Sequence, residues 1–372
     1  MRTTVRTTVL HLAEPLRISR SVMAARDAVW LTIEHDGWCG HGEAVASTYF
    51  GLDAPTICRL LADAARDLAR HADPQSALDA LRVGELPAAD TPPAVVAAVE
   101  AALLDLVGQR AGTPVHRLLG ARAAPVAGTA RTLGISTADH AAETARRLAA
   151  RGFRTLKVKV GGADPETGLA RVRAIGAAAP GVRLLLDPNG AWTAAQARAL
   201  LPRYAAIGVA AVEQPTAPGD PDALAALAAD SPVPVIADED AVTHEDVRRL
   251  AGRVHGVNVK LAKCGGVYAA LRIADLVAGS GTALMLGCLT ASSLGIAPAV
   301  HIADRARWVD LDGHLLLADD PWTGIGGTDG TVRAPDRPGL GVRPVLPVRP
   351  VGPTAGAHDA DGADRAVPRP AP

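Results

Sequence analysis

Seven short β-rich runs recur at near-constant spacing, and they constrain the fold of this chain more than any other feature. They are TLKVKV (155–160), VRLLLD (182–187), VAAVE (209–213), PVIAD (234–238), GVNVK (256–260), ALMLG (283–287) and WVDLD (308–312), with starts 22 to 27 residues apart. Alanine-rich amphipathic segments fill the intervals. Strand–helix–strand at this repeat is the pattern of parallel βαβ units. A further run near 126–133, VAGTARTL, brings the number to eight. Eight units predict an α/β fold of the TIM-barrel type, with its active face at the C-terminal strand ends. The competing open doubly wound sheet is disfavoured because no GxGxxG turn follows any run.

The first part of the chain has a different rhythm. Residues 1 to about 47 alternate apolar and polar, with Asp36-Gly37 as a turn signal, which predicts antiparallel strands. ICRLLADAARDLARHA and AVVAAVEAALLDLVGQRA, between residues 54 and 112, carry apolar positions at helical spacing. We therefore expect an N-terminal α+β unit over residues 1–118, completed by part of 318–345, a barrel over 119–317, and a disordered Pro/Ala-rich tail over 346–372. The chain of 372 residues has a net charge of −1 and no basic stripe, so nucleic acid is not an expected partner. Its four cysteines (Cys39, Cys58, Cys264, Cys288) have neither CxxC nor paired spacing. No signal peptide or membrane span is evident, and the expectation is a soluble cytoplasmic enzyme acting on a small molecule.

The ends of the runs carry ionisable residues. Lys157 and Lys159 end the first of the seven, Asp187 the second, Glu213 the third, Asp238 the fourth, Lys260 the fifth, and Asp310 with Asp312 the last. A lone charge at the end of an apolar strand is costly to bury. Three carboxylates on adjacent strands, about 5 Å apart, can converge on one hard cation, for which Mg²⁺ is the first choice and Mn²⁺ the alternative. Such an ion stabilises the enediolate formed when a proton leaves the carbon beside a carboxylate. The base needs a pKa near the working pH, and Lys157 beside Lys159 is expected to lower it. Lys159 and Lys260, on opposite sides of a barrel mouth, would then remove and return the proton on opposite faces. The plainer alternative makes each carboxylate a helix cap, as Asp187 before Pro188 could be. Six ionisable residues at the ends of consecutive strands fit that alternative poorly. Lys263, in the loop that follows, reads as a solvated charge.

With these residues in view, the chain resembles the enolase superfamily, and within it the muconate-lactonizing group. The resemblance rests on LKVKVG (156–161), LLLDPNGAW (184–192), VEQP (212–215), IADED (236–240), NVKLAKCGG (258–266), Gly42-Glu43-Ala44 and AALLDLVGQRAGTPVHRLLG (101–120). It implies a capping α+β domain on a modified (β/α)7β barrel. It also implies Asp187, Glu213 and Asp238 as metal ligands, Lys159 and Lys260 as acid/base lysines, and Lys157 as their neighbour. WVDLDGHLLLADDP looks like the DxD element of dipeptide epimerases, in which Asp310 and Asp312 would hold the substrate ammonium. Arg20 and Cys288 are the further expected substrate contacts, and Arg26 is a weaker one. One departure stands out: Thr290 and Ala291 occupy the stretch where such epimerases carry a glutamate. The alternatives within the superfamily are N-acylamino acid racemase, o-succinylbenzoate synthase and cycloisomerase. Outside it stand a Schiff-base aldolase using Lys159 and a catalytically silent binding protein. Family members commonly assemble, so a homo-oligomer is expected.

Overall fold

The computed structural model describes residues 1–162 and 164–345, so the expectation for the tail over 346–372 lies outside the described residues. Strands β1 (Arg2–Arg17) and β2 (Val22–His35) form a long antiparallel hairpin, and β3 (Trp38–Val45) pairs back on β2. The β2–β3 turn has Asp36 and Gly37 at φ 51° and 81°. Two consecutive left-handed residues give the turn hand that matches strand twist, which is why an Asp-Gly pair sits there. Helices α1 (Ala54–Leu68) and α3 (Pro93–Ala111) cover this sheet, and α2 (Pro74–Val83) packs on α3. Asp53 and Asp73 cap α1 and α2 by accepting backbone N–H bonds, with a proline in each first turn. β3 lies so close on α3 that a Cβ on Gly40 or Gly42 would come 2.1 Å and 2.0 Å from the carbonyl oxygens of Ala102 and Ala98.

A single turn, α4 (Val115–Leu118), leads to β4 (Val126–Gly128) and β5 (Arg131–Leu133). The run at 126–133 is therefore two strands and not one. β4 pairs antiparallel with Thr331–Arg333, whereas β5 pairs parallel with the next strand. The break between them serves closure. Ala130 donates its N–H to Val309 O at 2.8 Å, and the Thr129 hydroxyl accepts from Leu311 N at 2.9 Å, which ties the first barrel strand to the last.

The remaining units follow in order: α5 (Ala138–Ala150), β6 (Thr155–Lys159), α6 (Pro165–Ala178), β7 (Arg183–Asp187), α7 (Ala194–Ala205), β8 (Val209–Glu213) and α8 (Pro221–Asp230). Then come β9 (Val235–Ala237), α9 (His244–Leu250), β10 (Gly256–Lys260), the short α10 (Leu261–Cys264), α11 (Val267–Val277), β11 (Ala283–Gly287), α12 (Ser293–Val300) and β12 (Trp308–Asp310). The eight strands β5 to β12 hydrogen-bond in sequence order as one parallel sheet, which gives the expected α/β barrel. Among the described residues no helix is long and apolar enough to cross a membrane.

The inside of the barrel is layered. Leu185, Ala211, Ile236 and Met285 form a small apolar cluster of their own, no more than 2% exposed, separate from the main core outside the strands. Side chains on a strand repeat their direction every second residue. Two residues above that cluster stand Asp187, Glu213 and Asp238, so the fold delivers three carboxylates to one level.

Candidate active site

At that level every ionisable strand-end residue expected from the sequence is buried, apart from Lys260, which is nearly so. The Lys157 Nζ lies among three carboxylates: 2.7 Å from Glu213 Oε2, 2.8 Å from Asp310 Oδ2 and 3.1 Å from Asp187 Oδ2. Lys159 Nζ donates to Asp187 Oδ2 at 2.5 Å and to Asn189 Oδ1 at 3.1 Å. Lys260 Nζ donates to Asp238 Oδ2 at 2.6 Å. The other Asp238 oxygen, Oδ1, takes Lys263 Nζ at 2.6 Å. Asp187 is no helix cap: α7 begins seven residues later and is capped by Thr193 in a box with Gln196.

Lys263 corrects one expectation. It is 3% exposed and sits on α10, not in solvent. Its ammonium also donates to the carbonyls of Asp238, Asn258 and Ala241 at 2.5, 3.0 and 3.2 Å, which fastens the loop after β9 to β10. The signal was present in the sequence: Lys263 stands three positions after Lys260, one turn of any helix begun at the strand end. Gln214 and Asn258 were also missed as site residues. The Gln214 side chain accepts from the backbone N–H of Asp238 (2.9 Å) and Asp240 (3.2 Å), and Asn258 Nδ2 donates to Glu213 Oε1 at 2.9 Å. Gln214 at φ 35°, directly after Glu213, and Asn189 at φ 51°, two residues after Asp187, hold left-handed backbone, and the Gln214 side-chain bonds help to sustain the first.

The electrostatics add what the spacing along the chain does not show. The proton affinities of Lys157 and Lys260 are raised. Burial disfavours both ammoniums, but Asp310, Glu213 and Asp187 outweigh it for Lys157, and Asp238 with Glu213 for Lys260. In return, burial would raise Asp187, yet Lys159 and Lys157 hold it at about 2. Asp238 is likewise held well below the carboxylate range by Lys260 and Lys263 against its burial. Glu213 is the poorly compensated member: burial pushes it up to about 8, because Lys157 is its one close cation and is shared.

This imbalance tests the fit of a divalent cation. As the side chains stand, ammoniums lie between the carboxylates, and among the described residues no three ligand groups close around one point. The donor chemistry fits nonetheless. Three buried carboxylates on neighbouring strands are hard oxygen ligands, and the one that burial raises to about 8 is the middle one. A cation bound there would relieve Glu213 and release the lysines from their counterion role.

Asp310 and Asp312 are both buried but are not equivalent. Asp310 holds Lys157 through Oδ2, and its buried Oδ1 has no hydrogen-bond partner. Asp312 lies beyond the strand end, accepting from Thr132 N at 2.6 Å and from Arg131 at 3.3 Å. Above the charged layer opens a cavity of about 710 Å³, walled by the barrel rim and by the β1–β2 and β3–α1 loops. Lys159, Lys260, Glu239, Arg20, Arg26 and Cys288 all line it. Arg20 pairs with Glu239 at 2.9 Å, donates to Asn189 O at 2.9 Å and stacks on Tyr49.

Comparison with known proteins agrees with this architecture. Residues 1–120 match the model of the mandelate racemase / muconate lactonizing enzyme N-terminal domain, and residues 140–346 match that of the enolase C-terminal domain-like family. The chain is 34% identical to the hydrophobic dipeptide epimerase of Roseobacter litoralis, over 92% of this chain and 98% of that one. It is 31% identical to the L-Ala-D/L-Glu epimerase of Bacteroides thetaiotaomicron, over 85% and 81%. The crystal structure of a dipeptide epimerase from Enterococcus faecalis, complexed with Mg and L-Leu-L-Tyr, superimposes with a TM-score of 0.84 at 28% identity, covering 91% of this chain and 98% of that one. The chain belongs to the mandelate racemase/muconate lactonizing enzyme family of the enolase superfamily.

Proposed function

We propose that this protein is a Mg²⁺-dependent epimerase that inverts the α-carbon beside the carboxylate of a dipeptide, using two lysines. The observation that carries the reading is the position of Lys159 and Lys260. β6 and β10 are four strands apart in the eight-stranded barrel, so their C-terminal ends stand on opposite sides of the mouth. Both lysines line the 710 Å³ cavity, within the range that encloses a small ligand. Asp187, Glu213 and Asp238 would hold the ion. When bound, Mg²⁺ supplies positive charge to the substrate carboxylate as its α-proton leaves.

The chain's own groups do the rest. One lysine takes the proton from one face of the α-carbon and the other donates from the opposite face. Asp187 and Asp238 fix where each Nζ stands, and Lys157 holds the carboxylate layer together. The free Oδ1 of Asp310 is an acceptor for the substrate ammonium, a feature that an N-acylated substrate would not use. Arg20 and Cys288 form walls of the substrate cavity. The β1–β2 and β3–α1 segments of the N-terminal unit wall the cavity on the side away from the strand ends.

The test is a library of L,L-dipeptides with Mg²⁺ in D₂O, read by mass spectrometry. Deuterium is expected at the α-carbon of the residue that carries the carboxylate. Lys159→Ala and Lys260→Ala should each lower epimerisation by about 100-fold or more, with one variant still exchanging a single stereoisomer. Exchange with N-acyl amino acids but with no dipeptide would overturn the substrate assignment. Full epimerisation by both variants would overturn the two-lysine scheme.

A further inference from the structure

Among the described residues, one cation of the substrate cavity has no counterion. The Arg26 guanidinium on β2 donates from Nε and Nη2 to Met23 Sδ at 3.3 and 3.0 Å, and from Nη1 to Ala46 O at 3.0 Å. A thioether is a weak acceptor. Among the described residues Arg26 makes no ion pair. Asp27 follows it on the strand and lines the same cavity without pairing with it. The group is nevertheless largely desolvated, and burial lowers its proton affinity. A charge that is part-buried and unpaired loses hydration without compensation, and an anionic ligand would offset that cost.

Arg20 is the informative contrast. It lines the same cavity, but Glu239 already neutralises it at 2.9 Å. The two arginines also stand at different places. Arg20 bonds to Asn189 and Glu239, after β7 and β9. Arg26 shares the cavity wall with Cys288, after β11, and the Cys288 thiol donates to Asp310 O at 3.2 Å. The loop after β11 lines the cavity there with Cys288, Leu289 and Thr290.

We infer that Arg26 is a specificity residue that binds a carboxylate on the side chain of the substrate's N-terminal residue, so that acidic-first dipeptides are the favoured substrates. The inference rests on the dipeptide reading above, in which the ammonium of that residue meets Asp310. The substrate's α-carboxylate is spoken for at the carboxylate layer, so a second anion must come from a side chain. The side chain nearest β11 and β12 belongs to the residue whose ammonium lies there.

The experiment measures α-deuterium exchange by the full chain with Mg²⁺, comparing L-Glu-L-Ala, L-Gln-L-Ala, L-Leu-L-Ala and L-Ala-L-Glu. The kcat/KM for L-Glu-L-Ala is expected to exceed that for its near-isosteric amide L-Gln-L-Ala by about 10- to 100-fold, the worth of a charge-assisted bond. Arg26→Met should bring that ratio toward one, and Arg26→Lys should keep part of it. Equal or faster exchange of L-Gln-L-Ala or L-Leu-L-Ala by the natural protein overturns the inference while leaving the epimerase reading intact, as does an unchanged ratio in Arg26→Met. A preference for L-Ala-L-Glu over L-Glu-L-Ala overturns the placement at the N-terminal residue. Exchange with no dipeptide overturns the epimerase reading and this inference together. If Arg26→Met fails to fold, the natural protein's ratio and that of Arg26→Lys still decide.

Discussion

Glu100 on α3 offers a quantitative test of how the N-terminal layer is fastened to the barrel. It is 1% exposed, and its carboxylate accepts the backbone N–H groups of Val267 and Tyr268, the first residues of α11. Burial pushes its carboxyl up to about 7 from an ordinary 4.5, the two N–H bonds offsetting only part of the desolvation. A folded-state pKa above the unfolded value means that the native protein binds this proton more tightly. The stability due to that proton is fully present below pH 4.5 and is lost as pH rises through 7. At 1.36 kcal/mol per unit, the shift of roughly 2.5 units corresponds to about 3 kcal/mol. Glu43 (about 7) and Asp105 (about 6) are raised by burial in the same sense. Unfolding free energy, extrapolated from urea titrations at pH 5, 6, 7 and 8 without added metal, should therefore fall with pH. Glu100→Gln is neutral at every pH and should remove about 3 kcal/mol of that fall, while costing about 1 to 3 kcal/mol at pH 5 because the amide offers N–H toward N–H. If natural protein and variant show the same slope across this window, Glu100 is already ionised at pH 5, the helix N-terminus outweighs burial, and the reasoning fails.

Two further substitutions probe the site and the seam. Lys263→Met should destabilise by about 3 to 5 kcal/mol, because it strips a buried carboxylate of one of its two cations and leaves three carbonyls without that donor; urea midpoints check this, and a change within 1 kcal/mol would mean that Lys260 alone suffices for Asp238. Gly42→Val places a Cβ 2.0 Å from Ala98 O, a backbone atom that cannot swing aside, so loss of soluble expression or a melting temperature lower by more than about 5 °C is expected. A native-like melt for this variant would show that β3 and α3 can part without cost.

The barrel and its carboxylates were legible because they depend on period. Two-residue alternation fixes which side chains share the interior, and the strand repeat fixes the order, so Asp187, Glu213 and Asp238 could be placed together from the chain alone. What depends on where the backbone turns between elements was not legible. Thr129 and Ala130 read as mid-strand residues, yet they leave the ladder to close the barrel on β12. Lys263 reads as a loop charge, yet a one-turn helix carries it back under Asp238. Arg20 and Arg26 are equally basic in the sequence, and only the positions of Glu239 and Met23 separate a neutralised arginine from an unpaired one.

The same dependence separates the spacing of the lysines along the chain from the charges they meet in the fold. Lys157 and Lys159 are two apart on one strand, and considered alone they repel, which would ease deprotonation. In the fold each meets a carboxylate at closer range than any spacing along the chain reveals, with Lys157 touching three. The carboxylates that would bind a cation are thus the groups that hold Lys157 and Lys260 protonated. The lysines can act as bases only to the extent that this negative charge is taken up by something else. Under the proposed function, metal affinity and basicity would then be one linked quantity. Each unit of charge neutralised at Asp187, Glu213 and Asp238 removes part of what raises Lys260, and Asp238, bonded to both Lys260 and Lys263, is the residue through which that linkage is most direct.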